Sequence, residues 1–314
     1  MIPALVLTAG LATRLRPLSF VRAKAAVPVA GQPLITRILR RLRAAGVTEA
    51  VLNLHHLPHT LTRVVGDGSD LGMRVRYSWE MPVLGSAGGP RQALPLLGAS
   101  TFLIANGDTL TDVDIAALLA AHRRSGALVT MAVVPSPEPQ KYGGVVVAGD
   151  GAVVGFTRCG ASQASYHFVG LQVAEAAAFA PLEAASPYES VAAVYPALIG
   201  DRPGSIRAHV CAAEFLDIGT PADYLQTCLL IARREGGSVP QGARTRVGPA
   251  ARVERSILWD DVEVGAGSML RECIVTDGAR VPDDTSWIGM TLRQATGELA
   301  PGERRIGSLA VASL

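Results

Sequence analysis

Short apolar runs alternate, over the first three-quarters of the chain, with stretches in which apolar residues recur every third or fourth position. The runs Ala4–Leu7, Ala50–Leu54, Arg74–Tyr77, Phe102–Asn106 and Val129–Val134 have the length and composition of strands. Between them, Leu34–Ala45 sets Leu34, Ile35, Ile38, Leu39 and Leu42 on one helical face and arginines on the other. Gly46 stands where such a helix would end. Asp112–Ser125 repeats the pattern, with Asp112 placed as the N-cap and Gly126 as the stop. Strands separated by helices predict βαβ units and a mainly parallel sheet. Ligands of such sheets gather at the carboxyl ends of the strands. The turn after Leu7 and the tripeptide Asn106-Gly107-Asp108 both fall at such ends.

From about residue 140 the alternation loosens. Val145–Val147, Val153–Phe156 and Phe168–Val173 read as short strands around glycine turns, which predicts an antiparallel subdomain laid over the sheet edge. A last helix, Pro221–Arg234, follows Asp217-Ile218-Gly219-Thr220. After Gly236-Gly237 the texture changes. From Val239 to about Ile288 branched residues return at roughly six-residue steps, as at Val247 and Val253. The later ones (Ile257, Val262, Val264, Met269, Ile274, Val281) drift from that register. One aliphatic and one small corner residue per hexad is the pattern of a parallel β-helix, here about two to three coils of ~18 residues. The expected domains are therefore 1–236, α/β, and 237–314, the β-helix-like repeats and tail.

Composition narrows the function classes. Half the residues are hydrophobic (49%) and 18% are charged, as in an ordinary globular core. With 29 basic and 27 acidic residues the net charge is +2, which gives no nucleic-acid tract and no polybasic membrane patch. Cys159, Cys211, Cys228 and Cys273 lie far apart without CxxC spacing, so neither a disulfide frame nor a zinc site is expected. Met1 leads into a strand with no cationic leader, and charges interrupt every apolar window before ~18–20 residues. A soluble cytoplasmic protein is expected.

Candidate chemistry begins at Leu7-Thr8-Ala9-Gly10-Leu11-Ala12-Thr13-Arg14. Small residues let backbone N–H groups approach an anion, and Gly10 is free to take positive φ. Arg14 and Lys24 add full charges to that cradle. Asp108 follows a buried strand and Asp217 opens Asp217-Ile-Gly-Thr; such carboxylates suit Mg²⁺, which prefers one or two of them plus substrate phosphates. A turn-capping role for each aspartate is the competing reading. Cradle, clamp and metal bridge together are the parts of phosphoryl or nucleotidyl transfer. Other conspicuous residues take plainer roles. His55, His56 and His59 lack an acidic third ligand and Pro58 interrupts any helix between them. Arg37, Arg40, Arg41 and Arg43 form a solvated helix face, and Asp112 and Asp114 open a helix. Trp259 and Trp287 are either subunit anchors or core.

Leu7–Pro17, followed by Lys24-Ala-Ala-Val-Pro-Val-Ala-Gly-Gln-Pro-Leu34, resembles the signature of the sugar-1-phosphate nucleotidylyltransferases, or NDP-sugar pyrophosphorylases. So do Leu84-Gly-Ser-Ala-Gly88, Asn106-Gly-Asp108, Tyr142-Gly143, Phe168-Val-Gly170 and Asp217-Ile-Gly-Thr-Pro221, in that order. The tail resembles the left-handed β-helix of mannose-1-phosphate guanylyltransferase relatives. The resemblance implies a Rossmann-like nucleotidyltransferase domain followed by a short left-handed parallel β-helix. It also implies a reaction in which a sugar-1-phosphate oxygen attacks the α-phosphorus of an NTP and expels pyrophosphate. Arg14 would hold the departing phosphates and Lys24 the α-phosphate and sugar phosphate. Leu7, Ala9, Gly10, Leu11, Ala12, Thr13, Gly85 and Asn106 would line the nucleotide. Tyr142, Gly143, Arg158 and Gly170 would face the sugar, and Asp108 and Asp217 would hold Mg²⁺. Mannose-1-phosphate with GTP is the first expectation, and uridylyl transfer to an amino-sugar or muramic phosphate the second. A homo-oligomer built through the tail is also implied.

Two positions depart from the family pattern. Ala12 replaces a glycine, and Phe156-Thr157-Arg158-Cys159 stands where relatives carry Glu-Lys-Pro. They sustain a rival reading, a non-catalytic nucleotide-sugar sensor, against which Arg14, Lys24, Asp108 and Asp217 weigh. An acyltransferase on the tail is disfavoured, since His209 is the last histidine and precedes it.

Overall fold

The computed structural model describes residues 2–237 and 241–314. Met1 and Val239, named above as the chain's opening and the start of the repeats, lie outside the described residues. Two compact units result. The first comprises Met1–Gly10, Ile38–Pro58 and Val65–Leu216; the second comprises Leu11–Arg37, His59–Val64 and Asp217–Leu314.

The first unit is built on one sheet. Its strands are β1 (Ala4–Leu7), β2 (Glu49–Leu54), β3 (Arg74–Trp79), β4 (Thr101–Asn106), β5 (Val129–Pro135), β6 (Gly144–Val147), β7 (Val153–Thr157), β8 (Tyr166–Glu175) and β9 (Ile206–Val210). Along the main path they run β7-β6-β8-β4-β1-β2-β3, and β5 pairs with both β8 and β9. The centre, β3-β2-β1-β4, is parallel, as predicted. Register places Leu7 beside Asn106, so β1 and β4 deliver their carboxyl ends side by side. The strands of residues 144–175 are not laid over the sheet edge, as the sequence predicts; β8 pairs antiparallel with β4 and continues the same sheet. Leu5, Phe102, Ile104 and Met131 share one face of the sheet and are fully buried there with Phe179. At about 25 cal/mol per Å² that burial holds the layers together.

The helices flank these strands. Leu34–Ala44 buries the apolar face that its periodicity announces. Ile115–Ser125 is capped by Asp114, whose carboxylate accepts from the Ala117 N–H at 3.0 Å, and not by Asp112. Asp112 instead accepts from the Glu214 N–H at 2.7 Å. Gly85–Leu97 is helical, despite Pro90 and Pro95 within it. Its glycines permit close packing: a Cβ on Gly88 would lie 2.5 Å from the Ser186 carbonyl oxygen.

In the second unit the tail forms coils of parallel strands. Val247, Val264 and Val281 align, as do Val253, Leu270 and Trp287, and Leu258, Val275 and Leu292. Each column repeats every 17 residues (247 to 264, 264 to 281). The steps within a coil run six, five and six (247, 253, 258, 264), which accounts for the drift from a strict hexad. Trp259 is fully buried, and Trp287 packs against the coil core. Met290–Gln294 then pairs antiparallel with Leu309–Ser313, which pairs with Arg304–Ile306. The Arg293 guanidinium and Glu303 carboxylate form a buried pair at 2.6 Å beneath this hairpin.

Candidate active site

In the first unit, the exit of β1 is fixed by polar groups in its interior. The Thr8 N–H donates to Asn53 Oδ1 at 2.5 Å, the Ala9 N–H donates to the same oxygen at 3.3 Å, and the Thr8 hydroxyl donates to the Asn53 carbonyl. Asn53 Nδ2 in turn donates to Glu80 Oε1 at 2.7 Å, and Glu80 Oε2 accepts from the Leu84 N–H at 2.8 Å. Asn53 and Glu80 are 3% and 4% exposed. A buried carboxylate this well satisfied holds its neighbours rigidly, because losing either partner would strand the other. Sequence reasoning missed both residues; the available signal is a polar residue at the carboxyl end of each of two strands, Asn53 in β2 and Glu80 just past β3.

The end of β4 completes this corner. The Gly107 N–H donates to the Leu7 carbonyl at 2.9 Å, and a Cβ there would lie 2.5 Å from that oxygen and 2.7 Å from Thr8 Cγ2. Only glycine fits. Asp108, half-buried, accepts from the Thr109 hydroxyl at 3.1 Å. Gly170, at φ 80°, sits against Asn106, whose Cβ would be 3.1 Å from an added methyl. Leu7, Asn106, Gly107 and Gly170 are thus brought together.

Tyr142 joins a separate aromatic group. Its ring lies 4.6 Å from His167 and 5.7 Å from Phe215, and His167 stacks on Phe215 at 4.2 Å. Burial pushes the His167 imidazole down to about 4, so it is neutral near pH 7, and its Nδ1 has no hydrogen-bond partner among the described residues. Gly143 packs against the Thr157 carbonyl, and the Thr157 hydroxyl accepts from the Gly144 N–H at 3.0 Å. Arg158 is exposed just past β7. Gly85, at φ 75°, opens its helix with Glu189 alongside, held by the Ser86 hydroxyl at 2.7 Å.

The second unit assembles the charged groups. Ala12 takes left-handed backbone (φ 48°, ψ 46°), and its carbonyl accepts from the Leu15 N–H at 3.0 Å and the Ser19 hydroxyl at 2.9 Å. Gly10 is not among the positive-φ residues, so the left-handed turn falls two positions later than its glycine suggests. Leu11 is 45% exposed. Thr13, Arg14 and Leu15 form one 3₁₀ turn, and Lys24 opens another, Lys24–Ala26. Lys24 Nζ stands 4.0 Å from Asp217 Oδ1, both side chains mostly buried. Around Gly219, a Cβ would meet Asp217 Oδ2 at 2.9 Å, Asp223 Oδ2 at 3.0 Å and Arg14 Nη1 at 3.5 Å. Arg14, Lys24 and Asp217 therefore converge, with Asp223 beside them. Asp223, missed in the sequence, also forms a capping box with Thr220, announced by Thr-Pro-x-Asp ahead of the last helix.

The helix Pro58–Val65 starts at Pro58, so His59 lies in it and His55 does not, and no helix joins the two histidines. His55 Nδ1 is 2.9 Å from the Glu80 carbonyl oxygen. Among the described residues no three His, Cys, Asp or Glu side chains cluster as metal ligands. Two hard carboxylate oxygens beside a lysine suit an ion that completes its shell with phosphates and water, as Mg²⁺ does.

Residues 3–233 match the nucleotidyl transferase family. The chain belongs to that family. In this nucleotidyl transferase, residues 237–298 further match a GlmU-like C-terminal hexapeptide domain. It is 29% identical over 297 residues to the mannose-1-phosphate guanylyltransferase of Mycobacterium tuberculosis, covering 86% of this chain and 83% of that one. It is 47% identical over 116 residues to the N-acetylmuramate alpha-1-phosphate uridylyltransferase of Neisseria meningitidis, covering 36% of this chain and 50% of that one. The crystal structure of HddC from Yersinia pseudotuberculosis shares the fold, with a TM-score of 0.65 at 22% identity over 74% of this chain and all of that one. No helix among the described residues of the transferase is long and apolar enough to cross a membrane.

Proposed function

We propose that this transferase condenses a sugar-1-phosphate with a nucleoside triphosphate, with mannose-1-phosphate and GTP as its first pair. The observation that carries this reading is the convergence of Arg14, Lys24 and Asp217 around Gly219. The similarity to a mannose-1-phosphate guanylyltransferase over 86% of this chain supports the choice of substrates. A phosphate oxygen of the sugar phosphate forms a bond to the α-phosphorus, the bond from that phosphorus to the bridging oxygen breaks, and pyrophosphate leaves with the electron pair. Both reactants are anions, so catalysis consists of neutralising and aligning them. Lys24 lies between the α-phosphate and the sugar phosphate, Arg14 takes the departing phosphates, and Arg158 supplies charge on the sugar side. No general base is needed, because the attacking phosphate is ionised at neutral pH. Mg²⁺, with Asp108 and Asp217 as its carboxylates, would neutralise charge on the triphosphate when bound.

A second reading has its own support. The 47% identity to an N-acetylmuramate phosphate uridylyltransferase favours UTP and an amino-sugar or muramic phosphate. A matrix of NTPs against sugar-1-phosphates, read by pyrophosphate release, separates the two. The first reading expects the fastest release from GTP with mannose-1-phosphate. Fastest release from UTP with a muramic or amino-sugar phosphate establishes the second, and no release from any pair leaves the non-catalytic sensor. Assembly of subunits through the hexapeptide tail belongs to the same proposal.

A further inference from the structure

Residues on either side of Lys24 are tied to the hexapeptide coils. Arg22 donates from Nε to Asp277 Oδ2 at 2.7 Å and from Nη2 to Asp277 Oδ1 at 2.6 Å, a two-pronged pair, and from Nη2 to Asp260 Oδ2 at 2.6 Å. Its side chain is 13% exposed, and its guanidinium lies over the Trp259 ring, 5.2 Å from the centroid. The Trp259 indole N–H donates to the Tyr224 hydroxyl at 2.9 Å, which donates to the Pro28 carbonyl at 2.6 Å.

Asp260 and Asp277 are one coil apart and are themselves locked. Asp260 Oδ1 accepts from the Ala243 N–H at 2.7 Å, and Asp277 Oδ1 accepts from the Asp260 N–H at 3.1 Å. Two stacked carboxylates repel unless a cation joins them, and the planar fork of arginine meets both where a lysine would meet one. An exposed ion pair contributes almost nothing. Here the Arg22 side chain is mostly buried while Asp260 and Asp277 keep 36% and 29% of theirs exposed, so removing Arg22 leaves two fixed, partly solvated anions without their counter-charge.

We propose that Arg22 is a positioning residue, by which the tail's Asp260–Asp277 ladder sets the backbone that carries Lys24. A second tie supports it: Phe20 lies between two guanidiniums, that of Arg16 at 5.1 Å and that of the buried tail residue Arg293 at 5.3 Å. The tail is then part of the phosphate-handling apparatus and not only a module for assembly. The inference rests on the reading of Lys24 as a phosphate-binding residue.

The test uses the full chain and three variants, Arg22→Met, Arg22→Lys and Asp277→Asn. Amide hydrogen exchange over residues 22–29 is measured beside kcat and KM for the best substrate pair. Exchange in this segment is expected to quicken at least tenfold in Arg22→Met and Asp277→Asn, with exchange at 263–275 unchanged. The kcat should fall tenfold or more while the KM for the sugar phosphate moves less than twofold, and Arg22→Lys should recover part of the loss. Should Arg22→Met fail to fold, Asp277→Asn, which keeps shape and removes charge, decides. Unchanged exchange overturns the tether; quickened exchange with kcat within twofold of the parent overturns the positioning role. A parent chain without turnover for any pair overturns the functional reading instead, and exchange still judges the tether.

Discussion

Ala12 occupies left-handed backbone at φ 48°, in a loop where the family resemblance expects glycine. A Cβ there costs about 1–2 kcal/mol, partly offset because glycine would give the unfolded chain about 0.5–1 kcal/mol more entropy to lose. Ala12→Gly is therefore expected to raise urea-unfolding stability by up to about 1 kcal/mol and to tighten triphosphate binding. A loss of stability would show that Leu15 and Ser19, which bond the Ala12 carbonyl, shape the turn around the methyl. Gly219 is the opposite case, a site with no room. With the carboxylate oxygens of Asp217 and Asp223 at 2.9 and 3.0 Å from a would-be Cβ and Arg14 Nη1 just beyond them at 3.5 Å, Gly219→Ala must displace the Asp217 and Asp223 carboxylates. Overpacking of this kind costs about 1–3 kcal/mol, and we expect kcat/KM to fall at least a hundredfold while the protein stays folded. Activity within threefold of the parent would separate the placement of Asp217 from the chemistry.

At the scale of elements, the stack of His167 in β8 on Phe215 gives the first unit a pH dependence. Burial lowers this imidazole from 6.5 to about 4. Its folded pKa is depressed, so the unfolded chain binds the extra proton first, and stability is whole above pH 6.5 and declines towards pH 4. Urea midpoints should fall over that window, and His167→Phe should flatten the fall; an equally steep fall in the variant excludes the stack as its cause. The same strand shows why the sequence was legible in part. Apolar runs located every central strand, because a buried parallel strand must be apolar on both faces. Helices with an apolar stripe, such as Leu34–Ala44, were equally plain. Gly85–Leu97 was not, because its three glycines and two prolines lower helix propensity, and close contacts at Gly88 and Gly89 override that propensity. Arg14, Lys24 and Asp217 were found through a motif and the Asp223 capping box was there to be read in Thr-Pro-x-Asp, whereas Asn53 and Glu80 act through hydrogen bonds between distant stretches that no spacing announces.

At the scale of the whole molecule, contacts join segments that are far apart in sequence. Residues 11–37 share a compact unit with the coils that begin more than 200 positions later. Arg22 meets Asp277 across 255 positions, and Phe20 meets Arg293 over a still longer span. Chain closure over such distances is slow and comes late. On a ribosome adding ~5–20 residues per second, Asp277 emerges roughly 10–50 s after Arg22. On the proposal that Arg22 sets the backbone of Lys24, a nascent chain that has laid down β1 to β4 would still await the last coils to fix that loop. Competence for chemistry would then be deferred to the end of synthesis, and a message broken before codon 277 is expected to yield a chain without the Arg22–Asp277 tie.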